Sequence, residues 1–189
     1  MDVGNREANM EYRWKAGQTI KIRLMGRSRH LRRKVIRFAR QWEKYANIRF
    51  NFLGNNSIRA EVRVTFTEGK GNYSYLGTSA LDIPENEPTM NLELDDFSST
   101  DYVRRVVLYE FGHLLGCIYE YSSPASGISW NVPAVYQYYK TNFGWDETKT
   151  YQSVIYKYDK SMISQFTEFD PKSIMVYYID ESHLLPGED

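Results

Sequence analysis

Val106-Val107-Leu108-Tyr109-Glu110-Phe111-Gly112-His113-Leu114-Leu115-Gly116-Cys117-Ile118-Tyr119-Glu120 is the stretch that decides how this chain is read. Its first part, to Leu115, lies in a helix predicted from about Tyr102 to Leu115. Ser98 is the expected N-cap, with Asp101 completing a capping box. Gly116 suits a left-handed cap at the other end. Tyr109 and His113 are four positions apart, so they share one helix face about one turn apart, with Glu110 beside them. The glycine lets the chain leave the helix and bend back toward Tyr119.

Upstream, the hydrophobic periods switch between strand and helix. Ile20, Ile22 and Leu24 alternate with Lys21 and Arg23, which reads as a half-buried strand over Thr19 to Leu24. Leu31, Val35, Phe38, Ala39, Trp42 and Ala46 recur at helical spacing, opposite Arg29, Arg32, Arg33, Arg37 and Arg40. This predicts a backing helix over 29–46. Ile48, Phe50 and Phe52, then Val62, Val64 and Phe66, form two further alternating runs around the turn residues Gly54 to Ser57. Strand, helix, strand implies a right-handed crossover and a mostly parallel sheet. Gly69 to Gly77 reads as a loop with a short edge strand, and Thr89 to Leu94 as one more strand. Downstream of Gly116 only Pro133 to Asn142 reads as a clear helix, and the rest as irregular chain. The 189 residues fit one domain, with an N-terminal subdomain over about 14–116 and an irregular C-terminal subdomain over about 117–189.

The composition narrows the function. Twenty-four basic and 24 acidic residues cancel, which argues against a whole-protein role on nucleic acid or membrane. The basic face at Arg29 to Arg40 reads as a solvated helix face. Gly71 to Val103 holds no Lys or Arg and reads as an acidic, solubilising stretch. Cys117 is the one cysteine, so no disulfide forms within the chain. No apolar run reaches the roughly 20 residues of a membrane span. The polar start, Met1 to Arg6, lacks the apolar stretch of a signal peptide, which leaves both a cytosolic protein and a trimmed leader open. The expected state is monomeric.

The motif and its flanks carry a resemblance. Glu110, His113 and Gly116 keep their places in the metzincin pattern His-Glu-x-x-His-x-x-Gly-x-x-His, whereas Tyr109 and Tyr119 stand where it has histidine. Trp42 to Phe52, Asn72 to Thr78, Thr89 to Leu92, Glu120 to Pro124 and Ser173 to Tyr177 follow in order. Together they resemble astacin-like metallopeptidases from roughly Trp14 to Tyr178. The resemblance implies a metzincin-like α+β fold, with a twisted mixed sheet, a backing helix and an active-site helix. It implies a cleft between the two halves. It also implies zinc and peptide-bond hydrolysis, with Glu110 as general base, Met175 in the Met-turn beneath the metal and Tyr177 stabilising the transition state. Tyr73, Ser74, Tyr75, Leu76 and Gly77 would line an extended peptide or protein substrate that adds a strand to the sheet.

The two tyrosines disturb this picture. Zinc takes neutral imidazole readily, but a phenol must first lose a proton with an ordinary pKa of about 10. Of the three ligand positions only His113 keeps its histidine, so weak or absent zinc binding and little or no peptidase activity are expected. Two readings remain: a metalloendopeptidase crippled at its metal, and a pseudopeptidase that binds a peptide or protein in the cleft without cutting.

Overall fold

The computed structural model describes residues 12–54, 59–163, 168–176 and 179–186. Two compact units divide the chain at Cys117 and Ile118.

The first unit is a mixed sheet backed by helices. β1 (Thr19–Leu24), β2 (Arg49–Leu53), β3 (Val62–Thr65), β4 (Tyr73–Ser74) and β5 (Met90–Asn91) lie in the order β2-β1-β3-β5-β4. β1 pairs in parallel with both β2 and β3, β3 pairs in parallel with β5, and β4 closes one edge antiparallel to β5. Alternation puts Ile20, Ile22 and Leu24 in the core, as their period requires. Val62 and Val64 of the central β3 are fully buried, and Arg63 between them is buried too. Its guanidinium is satisfied by the carbonyls of Ala60, Ile83, Pro84 and Glu87.

α1 (Arg29–Ala39) turns Leu31, Val35, Phe38 and Ala39 inward. It is shorter than the predicted 29–46, because the chain tightens into a 3-10 turn at Trp42–Lys44. That turn aims two side chains at other elements. The Trp42 indole donates to the Leu108 carbonyl at 3.0 Å, and the Glu43 carboxylate accepts from the Phe50 amide at 2.7 Å. The strand predicted over Thr89 to Leu94 shortens to β5, since the Glu93 amide is taken by the Asn72 side chain. The predicted turn at Gly54 to Ser57 lies outside the described residues after Gly54.

α2 (Thr100–Leu114) runs with Val103, Val107 and Phe111 buried, and Phe111 meets Phe50 edge-on at 5.4 Å. Its N-cap is Ser99, whose side chain accepts from the Tyr102 amide; the expected cap, Ser98, is instead turned back onto Asp95. Asp101 therefore sits in the first turn, where its charge suits the helix dipole, and completes no capping box.

The second unit holds α3 (Val132–Phe143), α4 (Glu147–Thr150) and a π turn at Tyr151–Ile155. α3 fits the predicted helix. It ends at Gly144 in the left-handed region, φ +67°. The predicted irregular stretch beyond it contains α4 and the π turn. Tyr121, Trp130, Val135 and Val154 form a small core there, and Trp130 bridges Leu184. Among the described residues no helix is long and apolar enough to cross a membrane.

The last turn of α2 has all four of its final carbonyls satisfied. Leu115 N–H binds Phe111 and Gly112, Gly116 N–H binds His113, Cys117 N–H binds Gly112, and the Trp14 indole binds Leu114 at 2.7 Å. Trp14→Phe keeps an aromatic ring and removes the donor, stranding a buried carbonyl. It should destabilise the protein by about 1–3 kcal/mol in urea unfolding; an unchanged midpoint would show that the indole bond does not hold the helix end.

Candidate functional site

α2 carries three of the predicted site residues side by side. One helical turn brings the Tyr109 and His113 rings edge to face, with centroids 4.9 Å apart. Both rings are buried, and Glu110 between them is only 2 % exposed. Gly116 follows at φ +95°, a conformation open to glycine, and closes a Schellman turn through the Gly116 and Cys117 amides.

That turn also presents the Cys117 carbonyl to His113 Nδ1 at 2.8 Å. A carbonyl only accepts, so Nδ1 carries the hydrogen and the neutral ring keeps its lone pair on Nε2. The sequence reading missed this contact because it uses a backbone atom, which leaves no mark in residue type. Trp14 and Trp42, which bind α2 carbonyls, were missed for a different reason: their partners lie 100 and 66 positions away.

Burial dominates the electrostatics. It raises the Glu110 carboxyl from its ordinary 4.5 to about 8. It lowers His113 from 6.5 to about 4, with the bond to the Cys117 carbonyl opposing the shift. Near neutral pH this pair is mostly uncharged.

The other predicted site residues are placed as follows. Tyr73 and Ser74 form β4, and the Tyr75 amide continues the pairing to Thr89. Burial raises the Tyr73 phenol above its ordinary 10, with Tyr75 and Glu87 adding to the shift. Leu76 leads into a 3-10 turn at Gly77–Asp82. Gly77 has φ +52°, and a Cβ on it would lie 1.8 Å from the Tyr12 carbonyl oxygen, so no side chain fits there.

In the second unit, Tyr119 stacks on Tyr121 with centroids 5.0 Å apart. Met175 is buried and its carbonyl accepts from the Glu120 amide. Tyr177 lies outside the described residues.

The family model for the astacin peptidases matches residues 6–181. The chain belongs to the astacin family. Two structures of myroilysin are each 38% identical to it. One covers 95% of this chain and 86% of its own at a TM-score of 0.89. The other covers 95% and 78% at 0.68. High choriolytic enzyme 1, a hatching-enzyme zinc protease of the medaka fish Oryzias latipes, is similar in fold. It shows 19% identity over 98% of this chain and 83% of that one, at a TM-score of 0.59. No curated protein matches the chain.

The astacin family implies zinc, and at two of the motif's three ligand positions this chain carries tyrosine in place of histidine. Among the described residues no three His, Cys, Asp or Glu side chains gather where they could hold an ion. On α2 the neighbour of His113 is a phenol ring where the motif has a second imidazole.

The buried pair makes a pH prediction for the protein in a chelator. Glu110 holds its proton more tightly folded than unfolded, so its contribution is full below pH 4.5 and is lost as pH rises toward 8. His113 holds its proton less tightly, so its contribution is full above pH 6.5 and is lost as pH falls toward 4. The two slopes oppose one another between 4.5 and 6.5, and above 6.5 that of Glu110 remains alone. The protein should lose on the order of 2 kcal/mol from pH 6.5 to 8, and Glu110→Gln should abolish that decline. Urea unfolding at both pH values checks this, and an equal decline in the two proteins would contradict it.

Proposed function

We propose that this chain is an astacin-type metalloendopeptidase domain whose metal centre is disabled, leaving little or no peptide-bond hydrolysis. The observation that carries this reading is the Tyr109 phenol standing against His113 on α2. A phenol at that position supplies a neutral, weakly donating oxygen near neutral pH, where zinc chemistry calls for an imidazole nitrogen. Tyr119 makes the same exchange at the third ligand position of the motif. Glu110 retains the general-base position, Met175 the Met-turn position and Tyr177 the transition-state position. What is lost is the ion they would serve.

A second reading is a pseudopeptidase that binds a peptide or protein without cutting it. Its support is β4, which lies at the edge of the sheet and offers a backbone for strand addition. Both readings assign the chain a peptide or protein partner, with no nucleic acid and no membrane.

Restoring histidine at both positions separates the two. Tyr109→His with Tyr119→His should bring back zinc binding and casein hydrolysis if the rest of the centre is intact, while the unaltered chain stays inactive. A double variant that binds zinc and still cuts nothing would favour the pseudopeptidase. Equal hydrolysis by the unaltered chain would sink the proposal.

A further inference from the structure

β4 is too short to hold itself in place. It contributes two paired residues, Tyr73 opposite Asn91 and Ser74 opposite Met90, plus the Tyr75 amide bond to Thr89. The chain reaches it awkwardly. β3 lies on one side of β5 and β4 on the other, and Thr65, Asn91 and Tyr73 are in register at the same end of the sheet. The connection from Thr65 to Tyr73 must therefore cross the C-terminal end of β5.

Two side chains at that end stitch the crossing down. Asn91 is fully buried and spans both sides of it. Its Oδ1 accepts from the Thr65 hydroxyl at 2.8 Å and the Thr67 amide at 2.8 Å, while its Nδ2 donates to the Thr67 carbonyl at 3.0 Å and the Gly71 carbonyl at 2.6 Å. These four bonds use the whole hydrogen-bonding capacity of a carboxamide. Glu93, half-exposed, takes the Gly69 amide at 2.9 Å on one oxygen and the Gly71 amide at 2.6 Å on the other. Its own amide donates to the Asn72 side chain at 2.8 Å. The loop's backbone groups are thus bound by the side chains of Asn91, in β5, and Glu93, just beyond it.

The consequence falls on the edge. The bond from Tyr75 N–H to Thr89 turns the backbone groups of Tyr73 and Tyr75 toward β5, so the Ser74 N–H and C=O face away from it. An added strand hydrogen-bonds to those outward groups, and its affinity depends on their being held in place before it arrives.

We propose that Asn91 and Glu93 are positioning residues for peptide recognition: their stitch across the end of β5 holds β4 in the geometry that accepts an extended peptide. This rests on the reading of β4 as the docking edge. It assigns roles to two residues that touch neither peptide nor reacting atoms.

The test compares the unaltered chain with Glu93→Ala, Glu93→Gln and Asn91→Ala. Deuterium uptake is followed over Gly69 to Tyr75, together with the urea midpoint and the anisotropy of fluorescein-labelled β-casein as the extended probe. Glu93→Ala should speed exchange in that segment and weaken casein binding by about tenfold each, with the midpoint little changed. Glu93→Gln, which keeps one acceptor oxygen, should fall between. Asn91→Ala should act more strongly; if it fails to fold, the Glu93 pair decides. Faster exchange with unaltered casein affinity would overturn the proposal, and so would unaltered exchange. If the unaltered chain does not bind casein, the docking-edge reading fails and carries this inference with it, whatever the exchange data say about the stitch.

Discussion

The C-terminal turn of α2 is the constraint on which the rest depends. Gly116 takes a positive φ, and the Gly116 and Cys117 amides then fold back onto the helix's own last carbonyls. The same turn delivers the Cys117 carbonyl to His113 and fixes which ring nitrogen carries hydrogen. Two indoles, Trp14 and Trp42, hold α2 at Leu114 and Leu108. The helix that bears Tyr109, Glu110 and His113 is thereby fixed in azimuth and depth. A side chain at position 116 would need a backbone conformation that L-residues rarely adopt, and would disturb helix end and histidine together.

Much of this was legible in the sequence because it is periodic or local. The alternation of Ile20, Ile22 and Leu24 gave β1, and helical spacing placed Leu31, Val35 and Phe38 on the buried face of α1. Boundaries were less legible. Ser98 and Ser99 are both able caps, and the choice fell to Ser99 because Asp95 draws Ser98 into its own turn. The helical period through Ala46 overran α1, since a 3-10 turn keeps a near-helical spacing while changing direction. The parts hidden from a sequence reading are long-range polar contacts, such as Trp14 with Leu114 and Asn91 with Thr67. Pairing of that kind follows from topology, which residue spacing does not encode. The family blocks nominated the site residues, and the closeness of the Tyr109 and His113 rings followed from helix geometry.

The chemistry shows a frame kept and a centre changed. An astacin-type helix, its glycine turn and its carboxylate remain, but the imidazole expected beside His113 is a phenol. With burial holding Glu110 protonated and His113 neutral, the α2 site near neutral pH is a largely uncharged set of buried polar groups. Such a set offers a divalent cation little negative charge unless a proton is released. The fold's other asset, the sheet edge at β4, makes no demand on a metal.

The most direct test of this account is zinc content per chain, measured by elemental analysis after incubation with zinc and dialysis. The account predicts far less than one zinc per chain. A value near one, retained through dialysis, would mean that tyrosine or other groups complete a working site, and would contradict it.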